Sequence, residues 1–147
     1  MAYAARSDLE ARMGSADRLS VLLADEQGLE IPGRLAGAIA QAEAEIDSGL
    51  GNFYAVPVAA PVPATVARWA ADLALAALAE SRPAPGGGNL AKKAERAREE
   101  IDEVRRGVRQ VAGLAAKPRV GTVTEPDRTF TRGEDSAGGE AGTMDTW

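Results

Sequence analysis

The chain has 147 residues, carries a net charge of −5 at pH 7, and contains neither cysteine nor histidine. The length predicts one domain with a tail, and the negative charge argues against a general nucleic-acid binder. Without cysteine and histidine there is no disulfide, no thiol nucleophile, no imidazole base and no metal site built on those residues. We therefore expect no cofactor and no metal, and an assembly component rather than an enzyme.

The sequence predicts neither secretion nor insertion into a membrane. The N-terminus lacks the basic n-region and the apolar h-region of a secretory signal. No apolar run approaches the ~20 residues that span a bilayer. We expect a protein without membrane contact, folded in a reducing compartment.

Capping residues predict two short helices at the start of the chain. The spacing of Ser7 and Glu10 fits a capping box with Ser7 as the N-cap, opening a helix that ends at Gly14. Ser15 is expected to cap the second helix, which ends near Asp25.

The third helix is predicted over residues 34–48, because its apolar residues recur at steps of four and three. It leads into Phe53 and Tyr54, two of the chain's four Phe and Tyr residues. Large rings at a helix exit anchor it to a core or to a partner, so both are candidate contact residues. Glu43 and Asp47 lie opposite the apolar stripe, and we expect them to be solvated rather than catalytic.

The fourth helix is predicted over residues 64–81, after a segment punctuated by prolines. It is apolar nearly all round, which is typical of a buried helix, so we expect it to be the central core helix. Its interior charges, Arg68 and Asp72, are spaced for a local i,i+4 pair, the alternative being a contact between subunits. The glycine-rich break that follows is read as a hinge, because the strand and the Gly-Lys-Ser/Thr sequence of a phosphate loop are missing.

The longest helix is predicted over residues 90–113, with Asn89 as its N-cap. Apolar residues continue to Val111 in an unbroken heptad pattern, which predicts a core helix of the same subunit, a seam between subunits, or both. Seven basic and five acidic residues make it the basic element of the chain. Most of these charges should form a solvated face with i,i+4 pairs. The candidates for contact with DNA are Lys92, Lys93, Arg96, Arg105 and Arg109.

Residues 114–147 are rich in Gly, Thr, Asp and Glu, and predict an extended, partly β-prone tail. If exposed, Phe130 and Trp147 would each forfeit about 2 kcal/mol of burial, which favours docking on a neighbouring chain. The predicted organisation is a helical domain at residues 1–113 and a docking tail at residues 114–147.

The elements together predict an all-α fold, a small bundle of four to five helices with one long C-terminal helix. The apolar content leans on alanine, which buries little area per residue, so we expect burial between subunits to matter more than usual. The expected core residues are Leu22, Leu35, Ile39, Ile46, Val66, Trp69, Leu73, Ile101 and Val104.

Several segments occur in a characteristic order, namely Met1–Ala4, Glu45–Leu50, Phe53–Pro57, Pro63–Leu78 and Leu90–Val111. An Arg-x-Phe-x-Arg element follows at Arg128, Phe130 and Arg132. In order and spacing these segments resemble the Mu-like family of tailed-phage head–tail connector proteins. The chain departs from the family pattern in its PAPGGG insert and its long glycine-rich tail.

The resemblance implies an adaptor of the virion neck that is assembled in the host cytoplasm. It implies a homo-oligomeric ring, typically of twelve subunits, which lies beneath the portal protein and extends the DNA channel. A downstream neck or tail-completion protein would bind its other side, and genomic DNA would make transient, non-specific contacts. The expected inter-subunit or portal contacts are Phe53, Tyr54, Arg128, Phe130, Arg132 and Trp147, and the basic residues above would face the channel.

Two other functions are open from the residues alone. The first is a DNA-associated phage packaging or regulatory protein that uses the basic helix at residues 90–111, with an affinity that falls steeply with salt. The second is a small enzyme with a carboxylate site, which requires Glu43 or Asp47 to line a pocket.

Overall fold

The computed structural model describes residues 2–82 and 87–117. They form five helices, α1 (Arg6–Met13), α2 (Ala16–Leu23), α3 (Arg34–Leu50), α4 (Ala64–Ser81) and α5 (Gly87–Arg105). Two isolated antiparallel bridges join Ala24 to Glu30 and Tyr54 to Ala116. The all-α bundle predicted from the sequence is confirmed, and the predicted β-prone part of the tail lies outside the described residues.

The central helix of the bundle is α4, as predicted. It packs against α1, α2, α3 and α5, and ten of its 18 residues are buried. Four of these ten are alanines, whose small side chains let neighbouring helices approach closely. Helices α3 and α5 also approach closely, since a Cβ on Gly49 would lie 2.1 Å from Cγ2 of Ile101.

The core is continuous and is built from a single chain, from Tyr3 near the N-terminus to Val111 beyond α5. Eight of the nine expected core residues are buried, and Leu35 is partly buried against them. The described residues therefore form one continuous core within a single chain, and the expected burial between subunits stays a prediction.

The start of α1 differs from the predicted capping box. The N-cap is Ala5 rather than Ser7, and its backbone N–H donates to Oδ2 of Asp8 at 2.7 Å. The aspartate one residue after Ser7 thus supplies the capping carboxylate that was assigned to Glu10. The helix ends at Gly14, as predicted, because the left-handed φ of +78° there favours glycine.

The last helix is shorter than its heptad pattern predicted. It begins at Gly87, so Asn89 lies inside it rather than capping it, and it ends at Arg105 rather than near residue 113. Gly107 takes a φ of +76° and turns the chain back over the bundle. Val111 is consequently buried from a non-helical segment, while Val108 is 78% exposed. The final heptad repeat therefore does not continue the helix.

Candidate interaction surfaces

The first surface lies where α3 ends and the segment after α5 returns across it. The N–H of Ala55 donates to the carbonyl of Ala115 at 3.0 Å, and the N–H of Lys117 donates to the carbonyl of Phe53 at 2.8 Å. Both bonds flank the bridge between Tyr54 and Ala116. They hold the last described residues against the exit of α3. We name residues 53–63 together with 107–117 the exit surface.

The two aromatic residues at this joint have different environments. Tyr54 packs against the core, and its hydroxyl accepts a hydrogen bond of 3.0 Å from the N–H of Val111. Phe53 is 42% exposed, and its Cζ lies 3.2 Å from where a Cβ on Gly107 would stand. Of the predicted pair, Tyr54 therefore anchors the chain to its own core, and Phe53 presents its ring to the outside.

Two open grooves cross the exit surface. One, of about 550 Å³, is lined by prolines and alanines of residues 55–64 and by residues 112–115. The other, of about 650 Å³, lies between Phe53 and Arg109. Val56 and Val108 add exposed apolar area beside them. Apolar surface of this kind with a polar rim is typical of an interaction site.

The second surface lies at the other end of the molecule and was not singled out from the sequence. We name residues 16–31 the α2 corner. Its exposed apolar side chains are Val21, Leu29 and Ile31. The guanidinium of Arg82 fixes the corner by donating to the carbonyls of Ala24 and Asp25. The sequence feature that could have indicated this surface is the presence of two large apolar residues, Leu29 and Ile31, in a loop between Gly28 and Gly33.

A group of charges surrounds one buried carboxylate between α4 and α5. Oε2 of Glu100 accepts the indole N–H of Trp69 at 2.8 Å and pairs with Arg68. Arg109 lies 3.4 Å from the same oxygen, and Arg96 lies 3.5 Å from Oε1. Burial raises the pKa of Glu100, but the Trp69 hydrogen bond and the charges of Arg68 and Arg109 outweigh it and lower that pKa. We name these five residues the Glu100 cluster.

The predicted local pair between Arg68 and Asp72 is wrong. Asp72 instead accepts two hydrogen bonds from Arg12 of α1, at 2.8 and 2.6 Å, while Arg68 turns to Glu100 of α5. These two charges of α4 therefore bind different neighbouring helices. Both contacts lie within one chain, so they are not the contacts between subunits that were considered.

The five basic candidates do not share one face. Lys93 donates to the carbonyl of Arg12 at 3.2 Å, Arg105 pairs with Asp102 at 2.7 Å, and Lys92 is exposed. Arg96 and Arg109 meet at the Glu100 cluster, although Arg109 lies beyond the end of α5. The helix therefore presents dispersed, partly paired charges rather than a continuous basic stripe.

The carboxylates Glu43 and Asp47 are half-buried rather than solvated, which corrects the sequence-based expectation. The Tyr3 N–H donates to Oε1 of Glu43 at 2.5 Å, and its hydroxyl donates to Oδ1 of Asp47 at 2.5 Å. The same hydroxyl accepts the N–H of Val58 at 2.7 Å. Neither carboxylate lines the grooves described here, so both fasten the N-terminal segment to α3.

Four candidate contact residues, Arg128, Phe130, Arg132 and Trp147, lie outside the described residues. Within the described ranges, no group of three acidic side chains is placed to hold a metal ion. None of the five helices combines the length and apolarity needed to cross a bilayer.

Comparison with known proteins gave one family match. The model of the family described as Bacteriophage Mu, Gp36 matches residues 3–129, which is most of the chain. No curated protein matched the sequence.

Proposed function

We propose that this chain, which belongs to the bacteriophage Mu Gp36 family, is a head–tail connector of the virion neck. Family membership supports a structural or morphogenetic role in a phage. In the proposed assembly, copies of the chain form a ring, typically of twelve subunits, beneath the portal protein. The ring extends the DNA channel and offers a surface to the next neck or tail-completion protein. Its role is mechanical and requires neither a catalytic site nor a cofactor.

The observation that carries this proposal is the exit surface. The described core is closed within one chain, yet Phe53, Val56 and Val108 remain exposed around apolar grooves at one end. Such a surface favours burial against another protein. The sequence continues from this same surface, from Lys117 to Trp147, with Phe130 and its flanking arginines on the way. A tail that starts at an apolar surface supports attachment to the portal or to a neighbouring copy.

The alternative of a DNA-associated packaging or regulatory protein finds less support. Binding along DNA requires unpaired cations that follow the phosphates, but Arg105 and Arg109 lie beside carboxylates of their own chain. The acidic Glu95 and Glu99 are exposed on the same helix. Transient contact with DNA in the channel needs fewer cations and is compatible with this arrangement.

Native mass spectrometry of the full chain over a range of concentrations tests ring formation, with negative-stain microscopy to show closure. We expect a closed ring, and a weakened one in the double variant Phe53→Ser with Val108→Ser. The matched control is Gln41→Ser, an exposed position on α3, which should assemble normally. A wild-type chain that is monomeric at every concentration, and remains so with added portal protein, contradicts the proposal.

The position in the particle needs its own measurement. Gold-labelled antibodies against the chain should bind phage particles at the junction of head and tail. Labelling along the tail tube or over the capsid faces would contradict a neck connector while leaving the phage family intact.

A further inference from the structure

The exit surface and the α2 corner lie at opposite ends of α4. The C-terminal end of that helix is followed by Arg82, which holds the α2 corner, while Arg68 near its N-terminal end belongs to the Glu100 cluster. Fourteen residues separate these arginines, which is roughly 20 Å at the ~1.5 Å rise of a helix. The two surfaces therefore cannot cover each other within one chain, but the surfaces of two copies can meet.

Their charges are opposite in sign. The Glu100 cluster brings together three guanidiniums, of Arg68, Arg96 and Arg109, around the carboxylate of Glu100, and Glu103 is the further carboxylate beside Arg109. Arg96 is the most open of these cations, with 78% of its side chain exposed. The cluster thus has more positive than negative charge, and the positive charge of Arg96 is exposed to solvent.

The α2 corner has an excess of acidic over basic residues. Residues 16–31 contain four acidic residues and one basic residue. Glu30 among them pairs with Arg6, and Arg82 adds one further positive charge at the corner. Two of the acidic side chains, Asp17 and Glu26, are exposed and pair with no other residue in the described ranges. Carboxylates in this position suit the fork of an arginine side chain on another molecule.

Each surface also has exposed apolar side chains next to its charges. Val21 and Leu29 of the α2 corner are 51% and 68% exposed. On the other side, Arg109 lines the same groove as Phe53, one residue from the exposed Val108. An apolar centre, with rims of opposite charge on the two partners, is the usual composition of a protein–protein interface.

We propose that the α2 corner of one copy binds the exit surface and Glu100 cluster of the next, with Asp17 and Glu26 entering among Arg68, Arg96 and Arg109. This inference rests on the ring of the proposed function and names the contact that closes it. Two different surfaces in head-to-tail contact generate a ring when the rotation between copies closes. A second copy is favoured over DNA, because the carboxylates interleaved with these arginines repel a phosphate backbone.

Charge reversal on each side, followed by mixing, tests the contact. One variant carries Arg96→Glu and Arg109→Glu, and the other carries Asp17→Arg and Glu26→Arg. Each alone should need at least about tenfold higher concentration to assemble, equivalent to one lost charge-assisted contact. Mixed together, they should restore rings in which the two variants are present in equal amounts. Ala91→Glu is the control, since it adds a negative charge at an exposed position of the same helix, five residues from Arg96 and therefore on a different face.

Cross-linking gives a second measurement that does not depend on stability. Because the chain has no cysteine, Val21→Cys and Val108→Cys place thiols only on the two surfaces. A short bismaleimide should convert the double variant into a ladder of covalent multimers. Each single variant should remain uncross-linked, because a head-to-tail contact never brings two identical positions together.

The outcomes separate this inference from the proposed function. Rings that tolerate both charge reversals and give no ladder overturn the named contact and leave the ring in place. Intact rings whose Arg96→Glu, Arg109→Glu variant loses affinity for duplex DNA would assign the cluster to DNA instead. A wild-type chain that never assembles contradicts both.

Discussion

The indole N–H of Trp69 donates a 2.8 Å hydrogen bond to Oε2 of Glu100, which fixes α5 against the N-terminal half of α4. Both residues are buried. The carboxylate oxygens of Glu100 also pair with Arg68, Arg96 and Arg109. Among the described residues, no buried side-chain nitrogen or oxygen lacks a hydrogen-bond partner. A charge is tolerated in a core when it is paired and hydrogen-bonded in this way.

Replacing Glu100 with glutamine keeps an acceptor for Trp69 and removes the negative charge. We expect the free energy of unfolding to fall by about 2–3 kcal/mol, because the hydrogen bonds to a charged group become neutral ones. Urea denaturation measures the change. Arg96→Ala is the control and should cost no more than about 0.5 kcal/mol, since exposed pairs contribute little. Equal stability of Glu100→Gln and wild type would show that the carboxylate charge does not hold α4 and α5 together.

The lowered pKa of Glu100 predicts that the free energy of unfolding depends on pH in the acidic range. The pKa of Glu100 is lower in the folded chain than its ordinary value of 4.5, so the unfolded chain binds the proton more readily. Its stabilising contribution is present above pH 4.5 and is lost as the pH falls through the lowered pKa. The difference in unfolding free energy between wild type and Glu100→Gln should shrink over that window. A difference that is constant from pH 7 to pH 3 would contradict this assignment.

Tyr3 joins the N-terminal segment to two other parts of the fold through one hydroxyl. Burial and the hydrogen bond to Asp47 raise its pKa from 10.0 to about 12. The raised value means that the contribution of the neutral phenol is present below pH 10 and is lost as the pH rises toward 12. Tyr3→Phe should remove the late step in an ultraviolet titration of the two tyrosines.

The same substitution also tests the cost of an unpaired backbone group. Without the Tyr3 hydroxyl, the N–H of the buried Val58 has no acceptor in place. We expect Tyr3→Phe to lower the unfolding free energy by about 1–3 kcal/mol and to speed hydrogen exchange at the Val58 amide. Tyr54→Phe is a matched control for exchange, because its hydroxyl serves Val111 instead. Unchanged exchange at Val58 in Tyr3→Phe would argue against the bond.

Two glycines of α3 predict opposite responses to alanine. At Gly49 a Cβ would lie 2.1 Å from Cγ2 of Ile101, whereas at Gly37 it would meet nothing within 4 Å. Gly49→Ala should destabilise the chain by about 1–3 kcal/mol, because α3 and α5 must separate. Gly37→Ala should stabilise it by about 0.5–1 kcal/mol through helix propensity alone. Thermal unfolding of the pair compares them, and a stabilising Gly49→Ala would mean that the helices pack more loosely.

The spacing of apolar residues in the sequence was sufficient to predict a helix that is buried along its whole length. The bounds of α4 follow from Pro63 and a nearly continuous apolar run, and its central position follows from the same run. The end of α5 could not be read this way, because Val108 and Val111 fit the heptad. The left-handed turn at Gly107 and the pairing of residues 115–117 with the α3 exit decide it, and both depend on distant parts of the chain.

The interaction surfaces, too, could be predicted from the sequence only in part. Phe53 was identified because large rings are scarce in this sequence, but the exposure that distinguishes it from Tyr54 depends on where residues 107–117 return. The α2 corner was missed, since three scattered apolar residues have no periodic signal. Ion pairs were the least predictable feature, because sequence spacing reveals neighbours on one helix and not those on another.

The partner of Asp72 provides a direct test of that last point. Spacing alone favours Arg68, whereas the structure pairs Asp72 with Arg12 in a bidentate arrangement. Double-mutant cycles with alanine should give a coupling of about 1–3 kcal/mol for Arg12 with Asp72, and less than about 0.5 kcal/mol for Arg68 with Asp72. If Arg12→Ala unfolds the chain, Arg12→Lys retains the charge without the fork and should still lose part of the coupling. Strong coupling between Arg68 and Asp72 would return both charges to a local pair and leave α1 without its ionic contact to the central helix.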